Sequence, residues 1–360
     1  MINTTTTWKL TYLALIFTIL AFIPMRSQIS ASTASVTPFP FHMPIENELN
    51  DAPPIVPQPG MLFFIDRPTG LFEYRGDALP VSPIRSQNVR VLDVDGDWMS
   101  VNTAQGPMWI HLNFVPPVQT LDNFMRQYPG ISVFYKNLET GIIYERNADR
   151  LFFGASISKA SYALYLHQRA ERGEIDLNQT LTLKRQDWND GSGIINTTYY
   201  IGQEFTICRL IELNLYQSDN IATNMLRRTF GIDGYRDFVR SIGADANRVR
   251  NNVFNSNLTA REAGIFAIEI WEYVNSNGYH AAKFGNALRS NQFPFIVADY
   301  PILSKTGWTS NIAWHDMAIV EAPSPYILIL FSTRPGFTDE CFRIFEDISL
   351  EFQRFNDMWF

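Results

Sequence analysis

The sequence predicts an α+β fold: an antiparallel sheet flanked by helices, an all-helical region beside it, and a small β-barrel ahead of both. Strand-like segments gather at the two ends of residues 118–360, with helical stretches filling the interval between them. Asp339 to Phe355 closes the chain with Phe342, Phe345, Ile348, Phe352 and Phe355 at mostly helical spacing. Residues 60–117 instead alternate short apolar strands with turns at close spacing.

The N-terminus reads as an address. Lys9 precedes Leu10 to Ile23, a run of 14 mostly apolar residues followed by Pro24. That length suits the apolar core of a signal peptide and is short for a membrane span. Ser32-Thr33-Ala34 offers a small-x-small cleavage site, so residues 1–34 are expected to be a signal peptide. Arg26, just behind the apolar run, keeps an uncleaved membrane anchor as the alternative. Residues 35–59 hold Pro38, Pro40, Pro44, Pro53, Pro54, Pro57 and Pro59, a density that forbids helix or central strand and implies an extended linker.

From residue 60 to 117 the pattern changes. Val89 to Val94 is a strand, Asp95-Gly96 a tight hairpin turn, and Trp98 to Val101 the returning strand. Gln105-Gly106-Pro107 turns again before Met108-Trp109-Ile110. This stretch resembles bacterial SH3-like domains, which commonly attach exported enzymes to cell-wall peptides. Trp98 is expected to fill the module's own core rather than to meet a ligand.

The large domain, 118–360, opens with a hairpin: Ile131 to Tyr135, the turn Asn137 to Gly141, then Ile142 to Tyr144. Asp149 to Phe153 leads to Ser156-Ile157-Ser158-Lys159, from which a helix runs toward Gly173 as its C-cap. Cys208 to Leu215 is a second helical run. It ends at Ser218-Asp219-Asn220, with a further helix from Ile221 to Leu226. Ile302 to Ser304 carries Lys305-Thr306-Gly307 on a strand, and Trp314 to Val320 and Tyr326 to Ser332 complete an antiparallel set.

The chemistry follows from residue types and spacing. A serine hydroxyl is a weak nucleophile until a neighbour takes its proton. Ser156 and Lys159 are spaced i, i+3, so on a helix both side chains share one face, whereas Ser158 points elsewhere. Ser156 at a helix N-terminus has free N–H groups and a favourable dipole for a developing oxyanion. A lysine pressed against that positive end and a second lysine has its pKa lowered and can act as a base. Taken singly, each string has a plain structural explanation: a capped helix, a polar turn, a surface strand. Their order in one chain argues otherwise.

S-x-x-K, S-D-N and K-T-G in this order resemble the class A β-lactamase-like and penicillin-binding serine hydrolases over about residues 119–360. The resemblance implies a β-lactamase/transpeptidase-like fold and acyl transfer through a seryl intermediate. It implies Ser156 as nucleophile, Lys159 as base and Ser218 as proton relay. Asn220 would meet the substrate amide, and Lys305 and Thr306 a carboxylate. Gly307 would permit close approach, and the Trp308 backbone would give the second oxyanion N–H. The substrates implied are β-lactams or D-alanyl-type, peptidoglycan-derived peptides.

One departure qualifies that expectation. Class A β-lactamases carry a deacylating glutamate on a long loop between the second and third motifs. Here the corresponding stretch, Asn251 to Arg261, has no glutamate, and Glu262, Glu269 and Glu272 read as solvated helix residues. Acylation is therefore expected with slow hydrolysis of a β-lactam adduct. The alternatives are an esterase of other specificity, or a non-catalytic wall-binding protein that keeps the fold.

Composition agrees with a secreted, extracytoplasmic globular protein, and no cofactor is expected. The 360 residues are 46% hydrophobic, and the net charge of −7 disfavours a nucleic-acid partner. The two cysteines, Cys208 and Cys341, are expected as small buried apolar residues without a disulfide. The five histidines show no metal-ligand spacing, so no metal site is expected.

Overall fold

Two antiparallel sheets of different size organise the computed structural model. It describes residues 56–360 apart from 66–68, 78–79, 85–86, 115–117, 252, 254–255, 311 and 335–337. The expected signal peptide or anchor and most of the Pro-rich linker lie outside the described residues. Pro59–Phe360 is one compact unit.

The first sheet contains β1 (Leu62–Ile65), β2 (Thr69–Phe72), β3 (Ser82–Ile84), β4 (Gln87–Asp95), β5 (Trp98–Thr103) and β6 (Gly106–His111), in the order β1-β4-β5-β6-β2-β3. Gly96, at φ 59°, makes the tight turn between β4 and β5. The core of this part is aliphatic: Ile65, Leu71, Ile84, Val89, Val91, Met99, Val101, Met108 and Ile110. Trp98 does not belong to it, contrary to expectation. It is half-buried and packs edge-on against Phe72 at 5.0 Å and His111 at 4.8 Å. Phe72 in turn meets Phe114, which meets Trp359 of the final helix. The flank that carries Trp98 and Phe72 is thus linked through Phe114 to the final helix.

The larger part begins with helix α1 (Gln119–Met125), followed by β7 (Ile131–Asn137), β8 (Ile143–Arg146) and the two-residue β9 (Phe152–Phe153). Helix α2 (Ser158–Glu171) comes next, then the small pair β10 (Thr180–Thr182) and β11 (Glu204–Thr206). Helices α3 (Ile207–Tyr216), α4 (Asn220–Phe230) and α5 (Asp233–Ser241) complete the helical region. The short β12 (Asn257–Leu258) pairs with β9, and α6 (Ala260–Val274) and α7 (Ala281–Arg289) lead back to the sheet. Strands β13 (Ile302–Thr309), β14 (Ala313–Val320) and β15 (Tyr326–Ser332) precede the closing helix α8 (Asp339–Trp359). The five-stranded sheet has the order β13-β14-β15-β7-β8, so β13 is an edge strand. This is the α+β architecture that the pattern predicts.

Strand alternation divides the sheet's two faces between two cores. Met317, Ile319, Ile327, Ile329 and Phe331 join the helical region, whereas Trp314, Ala318, Val320, Leu328 and Leu330 pack with Phe345, Ile348 and Phe352 of α8. Helix α6 lies so close to the sheet that a Cβ on Gly264 would fall 2.5 Å from the ring of Phe134. Phe134 is itself buried on β7. Gly264→Ala is therefore expected to lower stability by ~1–3 kcal/mol through overpacking, read as an earlier midpoint in urea unfolding. Cys208 and Cys341 are both buried, as the sequence suggested.

Candidate active site

The nucleophile string lies where β9 hands over to α2. The helix proper starts at Ser158, two residues later than a helix-borne Ser156 requires. Ser156 occupies the preceding turn and is tied to the helix by the Lys159 N–H, which donates to its carbonyl at 3.2 Å. Ala155, immediately before it, holds φ at 46°, a left-handed conformation unusual for a residue with a Cβ. The tight turn leaves Ser156 half-buried, while Ile157 to His167 are enclosed on every side. At the far end Gly173, at φ 72°, terminates the helix as expected.

The second string bridges α3 and α4. Ser218 has φ 52°, and Asp219 turns inward as the N-cap of α4. Its carboxylate accepts from the N–H groups of Ala222 at 2.9 Å, Ile194 at 2.8 Å and Ile195 at 2.9 Å. One buried side chain thereby fixes both the Ser218 turn and the loop opposite. Gly193 makes this possible, because a Cβ there would fall 2.2 Å from the Asp219 carboxyl. Asn220 spans the gap: its Oδ1 accepts from Lys159 Nζ at 2.7 Å and its Nδ2 donates to Asn189 Oδ1 at 3.0 Å.

The third string lies on β13. Alternation along the strand places Lys305 and Gly307 on the face toward α2, and Thr306 and Trp308 on the other. Lys305 Nζ donates to Ser218 Oγ at 3.1 Å and to the Thr306 carbonyl at 2.6 Å. Lys159 Nζ reaches the same hydroxyl at 3.3 Å and the Ser218 carbonyl at 2.5 Å. A Cβ on Gly307 would lie 2.9 Å from both Ser156 N and Gly154 O, so only glycine lets the strand come this near the nucleophile turn. The Trp308 side chain is half-buried, and its backbone is opposite Trp314.

Two lysines thus converge on one serine hydroxyl, both without exposed surface. Burial pushes Lys159 well below the ordinary lysine range, the Lys305 charge pushes it further, and Asp219 opposes the shift. Burial likewise lowers Lys305 to about 7, with Asp316 acting against it. Asp316 is opposite Thr306, fully buried, and raised to about 6, chiefly by desolvation. Its Oδ2 accepts from Phe295 N at 2.7 Å and Ile296 N at 2.9 Å, which anchors the segment entering β13. Among the described residues no cluster of His, Cys, Asp or Glu could hold a metal ion.

Sequence reasoning missed Asn189 and Asp316. Asn189-Asp190-Gly191 reads as an ordinary turn, and only the tertiary approach of two loops makes it a partner of Asn220. Glu262 was misread as solvated. It is buried, completes a capping box with Thr259, and receives Arg248 Nη1 at 2.6 Å and Asp245 N at 3.1 Å. The Thr-x-x-Glu spacing at 259–262 carried that signal. Glu269 and Glu272, half-buried and exposed, are helix residues of α6.

A model of the beta-lactamase enzyme family matches residues 116–354. The chain is similar to the beta-lactamase ROB-1 of Haemophilus influenzae, 29% identical over 245 residues, 62% of this chain and 77% of that protein. It is also similar to the beta-lactamase SME-1 of Serratia marcescens, 31% identical over 115 residues, 31% of this chain and 38% of that protein. Among solved structures it shares its fold with PBP-A at TM-score 0.59 and 18% identity, over 66% of this chain and 95% of that one. A variant of PBP-A has been solved as its acyl-enzyme complex with penicillin G. The family match takes in the five-stranded sheet, the helical region and all three strings, and the chain belongs to the beta-lactamase enzyme family.

Proposed function

We propose that this chain is an exported serine hydrolase that acylates Ser156 with β-lactams or D-alanyl-type peptides and releases β-lactam adducts slowly. The convergence of buried Lys159 and Lys305 on Ser218, with Lys159 three residues on from Ser156, carries this reading. A neutral Lys159 takes the Ser156 proton as the hydroxyl attacks the carbonyl carbon. The N–H groups of Ser156 and Trp308 receive the oxyanion, and Ser218 passes the proton on to the leaving nitrogen as the amide bond breaks. Asn220 orients the substrate, and the Lys305 ammonium meets its carboxylate.

Slow release is supported by the segment between α5 and α6. No acidic residue occurs from 246 through 261, and Glu262 is committed to Arg248 and the α6 cap. Residues 246–261 therefore offer no carboxylate base to a water near the acyl carbonyl. The part built from β1 to β6 we read as an SH3-like, wall-directed module. Its groove of about 650 Å³, lined by Leu71, Ile84, Asn88, Arg90, Asn102 and Gln105, suits a short peptide. Export through residues 1–34 belongs to the same reading.

The test is incubation of the protein with a reporter penicillin, following intact mass and ring opening together. The expected result is one adduct per molecule, mapped to the peptide that contains Ser156, with ring opening that stalls near one equivalent. Rapid multiple turnover would overturn slow release. No adduct at all would favour an esterase of other specificity or a wall-binding role.

A further inference from the structure

The two oxyanion N–H groups assigned above come from different parts of the fold. Trp308 is on β13, within the five-stranded sheet, whereas Ser156 follows β9, which pairs with β12 outside that sheet. Their separation must be fixed by whatever holds the β9 turn against β13 and β14. The peptide unit between Phe153 and Gly154, which enters the left-handed Ala155, is gripped at both ends. Its N–H donates to the Ser256 carbonyl at 2.9 Å, and its carbonyl is 3.0 Å from Nε2 of His315.

His315 is opposite Gly307 in the β13–β14 register, at the point where the sheet comes nearest to Ser156. The imidazole has no exposed surface. Its Nδ1 accepts from Ser332 N at 3.2 Å, so Nε2 carries the proton and donates to Phe153. The ring stacks on Phe331 at 4.3 Å and meets the edge of Phe152 at 5.4 Å. Burial lowers its pKa to about 4, so the ring stays neutral and exchanges no proton with the cleft near neutrality.

We propose that His315 is a positioning residue whose hydrogen bond to the Phe153 carbonyl sets the spacing between the Ser156 and Trp308 N–H groups for the oxyanion. This rests on the acyl-enzyme reading above. A small misplacement of oriented donors costs rate rather than affinity, because the oxyanion exists only after attack.

The experiment compares His315→Phe and His315→Gln in the full chain, reading acylation by a reporter penicillin over a range of concentrations. Phenylalanine keeps the stack on Phe331 and loses both hydrogen bonds; glutamine can still donate to Phe153. The expected outcome is a limiting acylation rate roughly 30-fold lower for His315→Phe with the half-saturating concentration little changed, the size expected for misplacing a donor. His315→Gln should recover to within about threefold of the parent. Acylation of His315→Phe at the parental rate would overturn the proposal, as would equal loss in both variants. Should His315→Phe fail to fold, His315→Asn replaces it, since the shorter amide does not span to Phe153; equal rates for Asn and Gln would then overturn it. A parent protein that forms no adduct would sink the acyl-enzyme reading, and this one with it.

Discussion

Lys159→Ala is expected to slow acylation of Ser156 by about 10³-fold, mid-range for loss of a positioned general base, while the protein remains folded. A lysine at its usual pKa is charged at neutral pH and cannot take a proton. This one is buried beside a second ammonium, and both conditions disfavour its charged form. Its Nζ is held by Ser218 and Asn220, one helical turn beyond the Ser156 turn, so the neutral amine is poised rather than free to swing. Lys159→Arg should be equally slow, because a guanidinium keeps the positive charge yet does not deprotonate. Single-turnover ring opening with parallel mass detection measures both. If the arginine variant acylated within tenfold of the parent, the charge of Lys159 and not its basicity would be what matters.

Lys305→Met is expected to cost about 10²–10³-fold in acylation efficiency toward a penicillin that bears its carboxylate, the usual loss when one partner of a desolvated charge pair is removed. Its second effect is on pH. The Lys305 charge helps to depress Lys159, so the variant's acid limb should move to higher pH. In the parent, Lys305 loses its proton above about 7, and efficiency toward the free enzyme should decline on that side. Stability should do the opposite. The folded-state pKa is depressed, so the folded protein holds fewer protons than the unfolded chain between about 7 and the usual 10.5. Lys305 therefore contributes stability that is complete above the unfolded pKa and is lost as pH falls through about 7. Melting curves of parent and Lys305→Met should diverge in the parent's favour as pH rises across that window. A constant difference would mean that Lys305 is not the group titrating.

The strands and helices were largely legible because their patterns are local. The Ile131–Tyr144 hairpin, the strands at 314–320 and 326–332 and the closing helix all appear where periodicity puts them. The three strings were legible because each is contiguous. What escaped was whatever depends on elements meeting. Ser156 falls ahead of the helix because Gly154 is held against Ser256 and Leu258, a hundred residues later in the chain, before Ala155 turns it. Glu262 looks solvated until Arg248 and Asp245 fold over it. His315 has no ligand spacing, and its use comes from a strand register and a distant carbonyl.

The strand order also has a bearing on how the molecule is made. Strand β7 is hydrogen-bonded to β15, its partner across nearly two hundred residues, with Ser132 opposite Phe331 and Tyr135 opposite Leu328. On a chain synthesised from its N-terminus, the β7–β8 hairpin emerges early and waits with one edge bare until β13, β14 and β15 have followed. Such long-range pairing gives a high contact order and slow closure. The bare edge is the stretch on which a nascent chain would associate with a neighbour until its last sixth has arrived.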